Sequence, residues 1–319
     1  MTSAAIAIIG AGLAGLTCAR ELTQAGKRVT VFEKARGPGG RLSSRRHLNS
    51  TFDLGAQALT AQHSDFAEQL RVWETEGCLQ PWKGTGTLPS WVGRPRMSAL
   101  TRHYSKGLNL VTATCISHLQ ATEDQQWSLV DTTGKIWGPF TQVVLATPAS
   151  QALPLIDQAS ASLKQQLSQV KEDPIWVAYF ALQSTSLPTA KCLQPASSYL
   201  RRATLLNSKP GQESELQRWV VEATPRWSQE HLDLPKEEVA RRLFNIWAND
   251  MATELPSHPQ LLDAHRWLYG SVSTHLQQGF LEDAEQQLFV CGDFCRGSTA
   301  EAAWQSGHEL AQALRKTIQ

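Results

Sequence analysis

The segment Gly10-Ala11-Gly12-Leu13-Ala14-Gly15 sets three glycines at the spacing GxGxxG, and a carboxylate, Glu33, follows eighteen residues after the last of them. In that pattern the first glycine permits a tight turn, the second lets a pyrophosphate approach the backbone, and the third lets a helix sit close on its sheet. A helix that opens at such a turn aims its N–H groups and a partial positive charge at the phosphates. Glu33 is placed to accept hydrogen bonds from a ribose. The chemistry implied is the holding of a dinucleotide. A second glycine-rich stretch, GPGGRLSSRR at 37–46, follows directly. Alone it reads as a solvated loop. Beside the first motif it reads as an element that brings the Arg41 guanidinium toward the pyrophosphate of a larger cofactor. Arg36, Arg45 and Arg46 read as solvated charges.

The elements that must position these groups form a βαβ unit. Residues 4–9 are a continuous apolar run, the pattern of a strand buried on both faces. Leu13, Leu16, Ala19 and Leu22 recur at helical spacing until Gly26, and Arg28–Phe32 reads as the second strand, ending at Glu33. Farther on, helices are expected at 64–76, 97–106 and 235–250. Strands are expected at 108–115, 142–146, 175–182, 198–206 and 219–223, with a hairpin joining 127–130 to 136–137. Residues 77–96, rich in Gly and Pro, read as irregular. A strand at 288–291, then Gly292-Asp293, then a helix over 299–316 complete the pattern.

The fold expected is α/β. A Rossmann-type domain of residues 1–72, 97–160 and 268–319 carries an inserted α+β substrate domain of residues 73–96 and 161–267. The default active site is then a cleft between the two.

Composition narrows the partners. Lys plus Arg number 30 against 29 for Asp plus Glu, so no net field draws the chain to nucleic acid or to an anionic membrane. The six cysteines show neither zinc nor CxxC spacing, since three residues separate Cys291 from Cys295. They read as reduced thiols, with no metal site. No run reaches the roughly 18 apolar residues of a membrane span, and no basic segment precedes the first apolar run. A cytoplasmic protein acting on a small molecule is expected.

The GxGxxG…E…GGR arrangement resembles the flavin-binding signature of the amine-oxidase-like FAD oxidoreductases, whose domains follow the p-hydroxybenzoate hydroxylase and amine oxidase topology. Phe52-Asp53-Leu54-Gly55-Ala56-Gln57 is similar to the segment that passes the isoalloxazine in those enzymes. The Gly292-Asp293 unit with its helix resembles their second FAD motif. The resemblance implies non-covalent FAD, with contacts at Gly10, Ala11, Gly12, Gly15, Glu33, Lys34, Gly40, Arg41, Gly55, Ala56, Gln57, Gly292, Asp293, Glu301 and Ala302. Asp293 would hold a cofactor hydroxyl. The N–H groups near Glu301-Ala302-Ala303 would face the flavin pyrimidine and stabilise its reduced charge.

Four longer segments are similar to the bacterial renalase-like FAD-dependent oxidoreductases: FDLGAQALTAQ (52–62), RWVVEATPRWSQEHLD (218–233), AHRWLYG (264–270) and GDFCRGSTAEAAWQSG (292–307). That resemblance implies an oxidase of β-dihydronicotinamide isomers of NAD(P), the 2-dihydro form favoured. Its products would be NAD(P)+ and, with molecular oxygen, hydrogen peroxide. Flavin N5 is the hydride acceptor in such a reaction, so no nucleophile, general base or metal is required. His265, Trp267, Tyr269 and Trp304 are then candidates for the cleft, and Arg201, Arg202 and Asn207 for substrate phosphates. The chain departs from the family pattern at Ala58-Leu59, where an aromatic pair is usual, and at Arg96 and Ala302, where glycine is usual. Two alternatives stay open at this point: an oxidase of small amines and a non-catalytic FAD-binding module.

Overall fold

An apolar strand such as AIAII leaves its backbone donors and acceptors satisfied only when it is paired on both sides. The computed structural model, which describes residues 5–47, 50–83, 88–183, 192–193, 197–251 and 259–316, places it between two partners as β1 (Ala5–Ile9). There follow α1 (Leu13–Gln24), β2 (Arg28–Phe32), β3 (Ser44–His47), β4 (Ser50–Asp53), β5 (Leu59–Thr60), α2 (Ser64–Thr75), β6 (Leu79–Trp82), β7 (Ser90–Gly93) and α3 (Ser98–Tyr104). Next come β8 (Asn109–Val111), β9 (Ile116–Ala121), β10 (Trp127–Asp131), β11 (Ile136–Phe140), β12 (Gln142–Leu145), α4 (Ala149–Ile156) and α5 (Ala161–Leu167). Then β13 (Lys171–Gln183), β14 (Cys192–Leu193), β15 (Leu200–Leu205), β16 (Leu216–Ala223), α6 (Pro225–Glu230), α7 (Lys236–Met251) and β17 (Leu261–Thr274) lead to β18 (Leu281–Asp283), β19 (Leu288–Val290) and α8 (Ala300–Lys316).

The chain divides into two compact units, one of Met1–Gly40, Thr101–Glu172 and Val272–Gln319, the other of Arg41–Leu100 and Asp173–Ser271. In the first, six strands run in the order β18-β19-β12-β1-β2-β8. All neighbours are parallel except β18 and β19. This is the mixed α/β, Rossmann-type arrangement expected. Ala7, Ile9, Val143, Leu145 and Val290 contribute to its core. Helix α8 lies against α1 where Gly307 meets the Ala14 carbonyl, so closely that a Cβ on Gly307 would overlap that oxygen.

In the second unit five strands run β14-β15-β16-β13-β17. Strand β13 shows the period of two expected of a sheet covered on both faces. Trp176, Ala178, Phe180 and Leu182 pack with Val239, Leu243 and Trp247 of α7. Ile175, Val177, Tyr179 and Ala181 turn the other way, onto Phe52 and Leu54. This second face is what holds the Asp53–Gln57 segment.

Three expectations need correction. The first unit ends at Gly40, not at 72, because the β3–β4 hairpin and Phe52 pack on β13 and β16 of the second unit. Its other bounds are 101–172 and 272–319: α5 packs through Leu163 and Leu167 into the first unit's core, and β17 of the second sheet runs on to Thr274. Residues 77–96 are not irregular throughout: β6 and β7 pair antiparallel there, and Pro81 is tolerated because β6 is an edge strand. The end of GPGGRLSSRR is likewise strand β3. Among the described residues no helix is long and apolar enough to cross a membrane.

The α1–α8 contact leaves no room for a methyl group, so Gly307→Ala is expected to cost about 1–3 kcal/mol of stability. Urea denaturation followed by circular dichroism measures it, and an unchanged midpoint would contradict the packing described.

Candidate functional site

Gly10 adopts φ +109°, a left-handed conformation, and a Cβ there would lie 2.6 Å from the Ala146 carbonyl oxygen. Glycine is therefore required twice over at the end of β1. Gly15 is required by space alone, because a Cβ there would overlap the Gly10 carbonyl oxygen. Gly12 differs from both: a Cβ there would meet no atom within 4 Å. It is also the N-cap of α1, with no side chain capping the helix. The space beside Gly12 and the uncapped helix terminus together make a cradle for an anion.

The second glycine loop closes on the first. Gly39 N–H donates to the Ala11 carbonyl at 2.9 Å, and a Cβ on Gly40 would stand 3.4 Å from the Gly12 Cα. Buried Glu33 fastens both: its Oε2 accepts from Ala11 N–H at 2.9 Å and its Oε1 from Ala35 N–H at 2.8 Å. Each carboxylate oxygen can accept twice, so capacity for ribose hydroxyls is retained. An open pyrophosphate position, a helix terminus aimed at it and an acidic ribose acceptor are the requirements of an FAD site's dinucleotide half, and FAD fits here. Lys34 follows Glu33 directly. It is exposed, and its Nζ donates to Gln151 Oε1 at 3.1 Å.

After β19, at the same carboxyl edge of the parallel sheet, Gly292 N–H donates to buried Ser306 Oγ at 3.0 Å, and Asp293 and Glu301 are both buried. The N–H groups of Ala302 and Ala303 are already engaged. Thr299 caps α8, its Oγ1 accepting from Ala302 N–H at 3.0 Å and its carbonyl from Ala303 N–H at 3.1 Å. The donors expected for a flavin pyrimidine at those two residues are thus used within the helix. Trp304 is a core residue of this unit, buried and stacked on His308 with ring centroids 4.9 Å apart.

In the second unit the Asp53–Gln57 segment is clamped from below. A Cβ on Gly55 would overlap the Arg41 carbonyl, which accepts from Ala56 N–H at 3.0 Å. Buried Gln57 donates through Nε2 to the carbonyls of Asp53 (2.6 Å) and Gly55 (3.0 Å). The centre of the clamp is Lys209, whose side chain is fully buried. Its Nζ lies 3.0 Å from Asp53 Oδ2 and donates to Gln57 Oε1 at 3.1 Å. Asp53 Oδ1 also accepts from Ser44 Oγ at 2.6 Å and Met97 N–H at 3.1 Å. Buried Arg218 donates to the carbonyls of Thr51 and Gln212. Burial pulls its pKa down, and the Asp53 charge opposes that shift. Neither Lys209 nor Arg218 stands out in the sequence, where the first sits in a Ser-Lys-Pro turn and the second in a strand end. Arg96 donates to Ser98 Oγ at 3.2 Å, and Leu59, one of the family departures, is buried in β5.

Strand β17 carries three of the cleft candidates at alternate positions, His265, Trp267 and Tyr269. Trp267 Nε1 donates to the Leu54 carbonyl at 2.9 Å, and its ring meets His265 edge-on with centroids 4.4 Å apart. Burial first, and then the Arg45 charge, lower the His265 pKa to about 4, with Asp263 opposing. Its imidazole is neutral at pH 7. The candidates on β15 and in the turn after it are dispersed. Arg201 is exposed, Arg202 is paired with Glu222 at 2.6 Å, and Asn207 bridges the Leu216 carbonyl and the Arg218 N–H at 2.9 and 2.8 Å. Arg202 and Asn207 are thus engaged in internal structure. Cys18, Cys78, Cys115, Cys291 and Cys295 are free thiols, and burial raises the pKa of Cys18, Cys291 and Cys295.

Comparison with known proteins agrees with this geometry at two levels. Residues 8–71 match the model of an NAD(P)-binding Rossmann-like domain. The chain is 43% identical over 67 residues to an L-amino-acid oxidase of Siganus canaliculatus, a stretch covering 20% of this chain and 13% of that protein. It is 46% identical over 50 residues to a 4,4'-diapophytoene desaturase (4,4'-diaponeurosporene-forming) of Staphylococcus haemolyticus, covering 16% and 10%. These curated relatives are thus matched over only about a tenth of their length, in the dinucleotide segment. Over the whole chain the likeness is one of fold. A structure from Exiguobacterium sp. 255-15 provisionally named a protoporphyrinogen oxidase superposes with a TM-score of 0.78 at 12% identity, covering 99% of each chain. A redesigned putrescine oxidase gives 0.72 at 11%, covering 98% and 99%, and a reduced UDP-galactopyranose mutase 0.73 at 13%, covering 98% and 95%.

Glu33→Ala removes two hydrogen bonds to a charged acceptor, each worth about 1.5–3 kcal/mol. FAD binding by the stripped protein, followed by quenching of flavin fluorescence, is expected to weaken by about 100-fold; unchanged affinity would contradict the role given to Glu33. Lys209→Met leaves a buried carboxylate unpaired and is expected to cost about 3–5 kcal/mol. Adding Asp53→Asn should return part of that loss in a denaturation double-mutant cycle. Strictly additive losses would show that the two side chains are not coupled.

Proposed function

We propose that the chain is an FAD-dependent oxidase that takes hydride from β-dihydronicotinamide isomers of NAD(P), the 2-dihydro form preferred, and yields NAD(P)+ and hydrogen peroxide. The observation that carries this reading is the hydrogen bond from Trp267 Nε1 to the Leu54 carbonyl. It joins the AHRWLYG and FDLGAQ segments, 213 residues apart in sequence, on which the renalase-like resemblance rests. Bound FAD would supply the two-electron acceptor, at N5. The resemblance offers Gly10, Gly12, Gly15, Glu33 and Gly40 to its dinucleotide half, the Arg41 guanidinium to its pyrophosphate and the Gly55–Gln57 segment to its ring.

The work left to the protein is orientation and exclusion of water. The nitrogen lone pair of a dihydropyridine drives departure of the hydride, so no side chain has to remove a proton. A neutral His265 and the indole of Trp267 suit that task, since neither carries a charge that the developing pyridinium would have to oppose. Arg45, Lys236 and Arg266 lie beside His265 and favour an anionic substrate over an amine cation. The oxygen-linked reaction, a cytoplasmic setting and the absence of nucleic-acid or membrane partners belong to the same proposal.

Anaerobic stopped-flow spectroscopy of the flavin band tests it, with 2-dihydro-NADH, 6-dihydro-NADH, ordinary NADH and a panel of primary and secondary amines as reductants. Rapid bleaching by the 2-dihydro isomer, with NADH and amines slow, is the expected result. Bleaching by an amine alone would assign the protein to amine oxidation. A flavin that none of them reduces would remove the catalytic reading.

A further inference from the structure

Strand β17 is the outer strand of its sheet. Beside it lies a recess of about 570 Å³ lined by Arg45, Trp176, Asp233, Lys236, His265 and Arg266, with Leu234 and Ala264 supplying its apolar wall. The volume falls within the roughly 300–1,000 Å³ usual for small-molecule sites. Three cationic side chains, contributed by β3, α7 and β17, face one lining carboxylate, Asp233, while Asp263 pairs with Lys236 at 3.1 Å and with Arg45 at 4.0 Å.

The cations are set in place by neighbours in the same unit. Arg266 Nη1 donates to the Leu232 carbonyl at 2.6 Å, and its guanidinium lies 5.5 Å from the centre of the Trp176 ring. Trp176 is in turn fixed by a hydrogen bond from Nε1 to the His231 carbonyl at 3.1 Å. Arg45 Nη1 donates to the Tyr179 hydroxyl at 3.3 Å, and that hydroxyl donates to Asp263 Oδ2 at 2.6 Å. Lys236 Nζ lies 3.1 Å from Asp263 Oδ1. Arg45, read from sequence as a solvated charge, is therefore oriented by a buried tyrosine. The contacts named for Arg45 and Arg266 engage one nitrogen of each guanidinium, and a guanidinium carries five N–H donors in a planar fork. Two such forks and an ammonium around one opening match a ligand with several anionic oxygens.

We infer that this recess binds the phosphate groups of a nucleotide, and that in the reaction proposed above, on which this assignment rests, they are those of the dinucleotide substrate. His265 connects the recess to the rest of the site, since its ring touches Trp267 and Trp267 is fastened to Leu54. His265 and Trp267 are two positions apart, with Arg266 between them, about 7 Å along β17. That is the span of the ribose between a nicotinamide ring and its first phosphate. A substrate lying along β17 would rest its phosphates on Arg45, Lys236 and Arg266 and turn its dihydropyridine ring toward Trp267 and Leu54.

The test is calorimetric titration of the FAD-loaded protein with ADP-ribose, 2'-phospho-ADP-ribose and inorganic pyrophosphate, none of which can reduce a flavin. Wild type is compared with Arg45→Ala, Lys236→Ala and Arg266→Ala. Lys164→Ala, which removes the same charge from an exposed side chain on α5, is the control. Each recess substitution is expected to weaken ADP-ribose binding by about tenfold or more, the effect of losing one charge-assisted hydrogen bond. Lys164→Ala should leave it unchanged, pyrophosphate should compete, and all affinities should fall with added salt. Equal affinity for wild type and the three variants, or no binding of any of the probes, would overturn the assignment. The two proposals separate cleanly. Recess-dependent ADP-ribose binding without flavin reduction by any dihydro isomer would sustain the phosphate site and discard the reaction. Flavin reduction with KM unaltered in all three variants would do the reverse.

Discussion

A single buried carboxylate ties the nucleotide-binding end of the chain together. Glu33 closes β2 and accepts hydrogen bonds from Ala11 and Ala35, one residue in each of the two connections that must come together. Glycine-rich turns lose much backbone entropy on ordering, and an acceptor that engages two N–H groups at once offsets part of that loss. The glycines then do what larger residues cannot. Gly15 lets α1 rest on the end of β1, Gly307 lets α8 rest on α1, and Gly12 leaves open the volume in front of the helix terminus.

The second unit reaches comparable rigidity by another route. Its sheet buries both faces, and the face carrying Val177, Tyr179 and Trp267 supports Phe52 and Leu54. Polar order is added by Lys209 and Arg218, two buried cations near one buried carboxylate. Buried ion pairs contribute little net stability relative to apolar packing, yet removing one partner is costly. Such a pair suits a place where geometry matters more than stability. Here it holds Asp53, Gly55 and Gln57, the residues the resemblance sets beside a flavin ring. Binding groups carried on a loop work best when the scaffold beneath them is fixed.

The parts of this arrangement that were legible in the sequence are those whose requirements are local. The βαβ unit announces itself because glycine spacing, apolar periodicity and Glu33 lie within thirty residues of one another. The hairpin around Thr133-Gly134 and helix α7 are legible for the same reason. Lys209 was not, since its partners Asp53 and Gln57 lie 156 and 152 residues away and its own surroundings look like a solvated turn. The unit boundary at Gly40 escaped notice because a polar stretch, SRRH, forms a strand only against β4. Asn207 and Arg202 looked suited to phosphate binding by residue type, but internal partners engage both. Arg45 carried the opposite signal: it read as surface charge, and only the fold reveals the tyrosine that aims it.

The central claim is that this chain is built around FAD and not around a nicotinamide dinucleotide. The most direct measurement is to purify the protein without added cofactor, denature it, and identify what is released by absorbance and mass spectrometry. The account predicts FAD, released without proteolysis and approaching one equivalent per chain. Release of NAD or NADP, or a folded protein that neither carries nor takes up FAD, would contradict it.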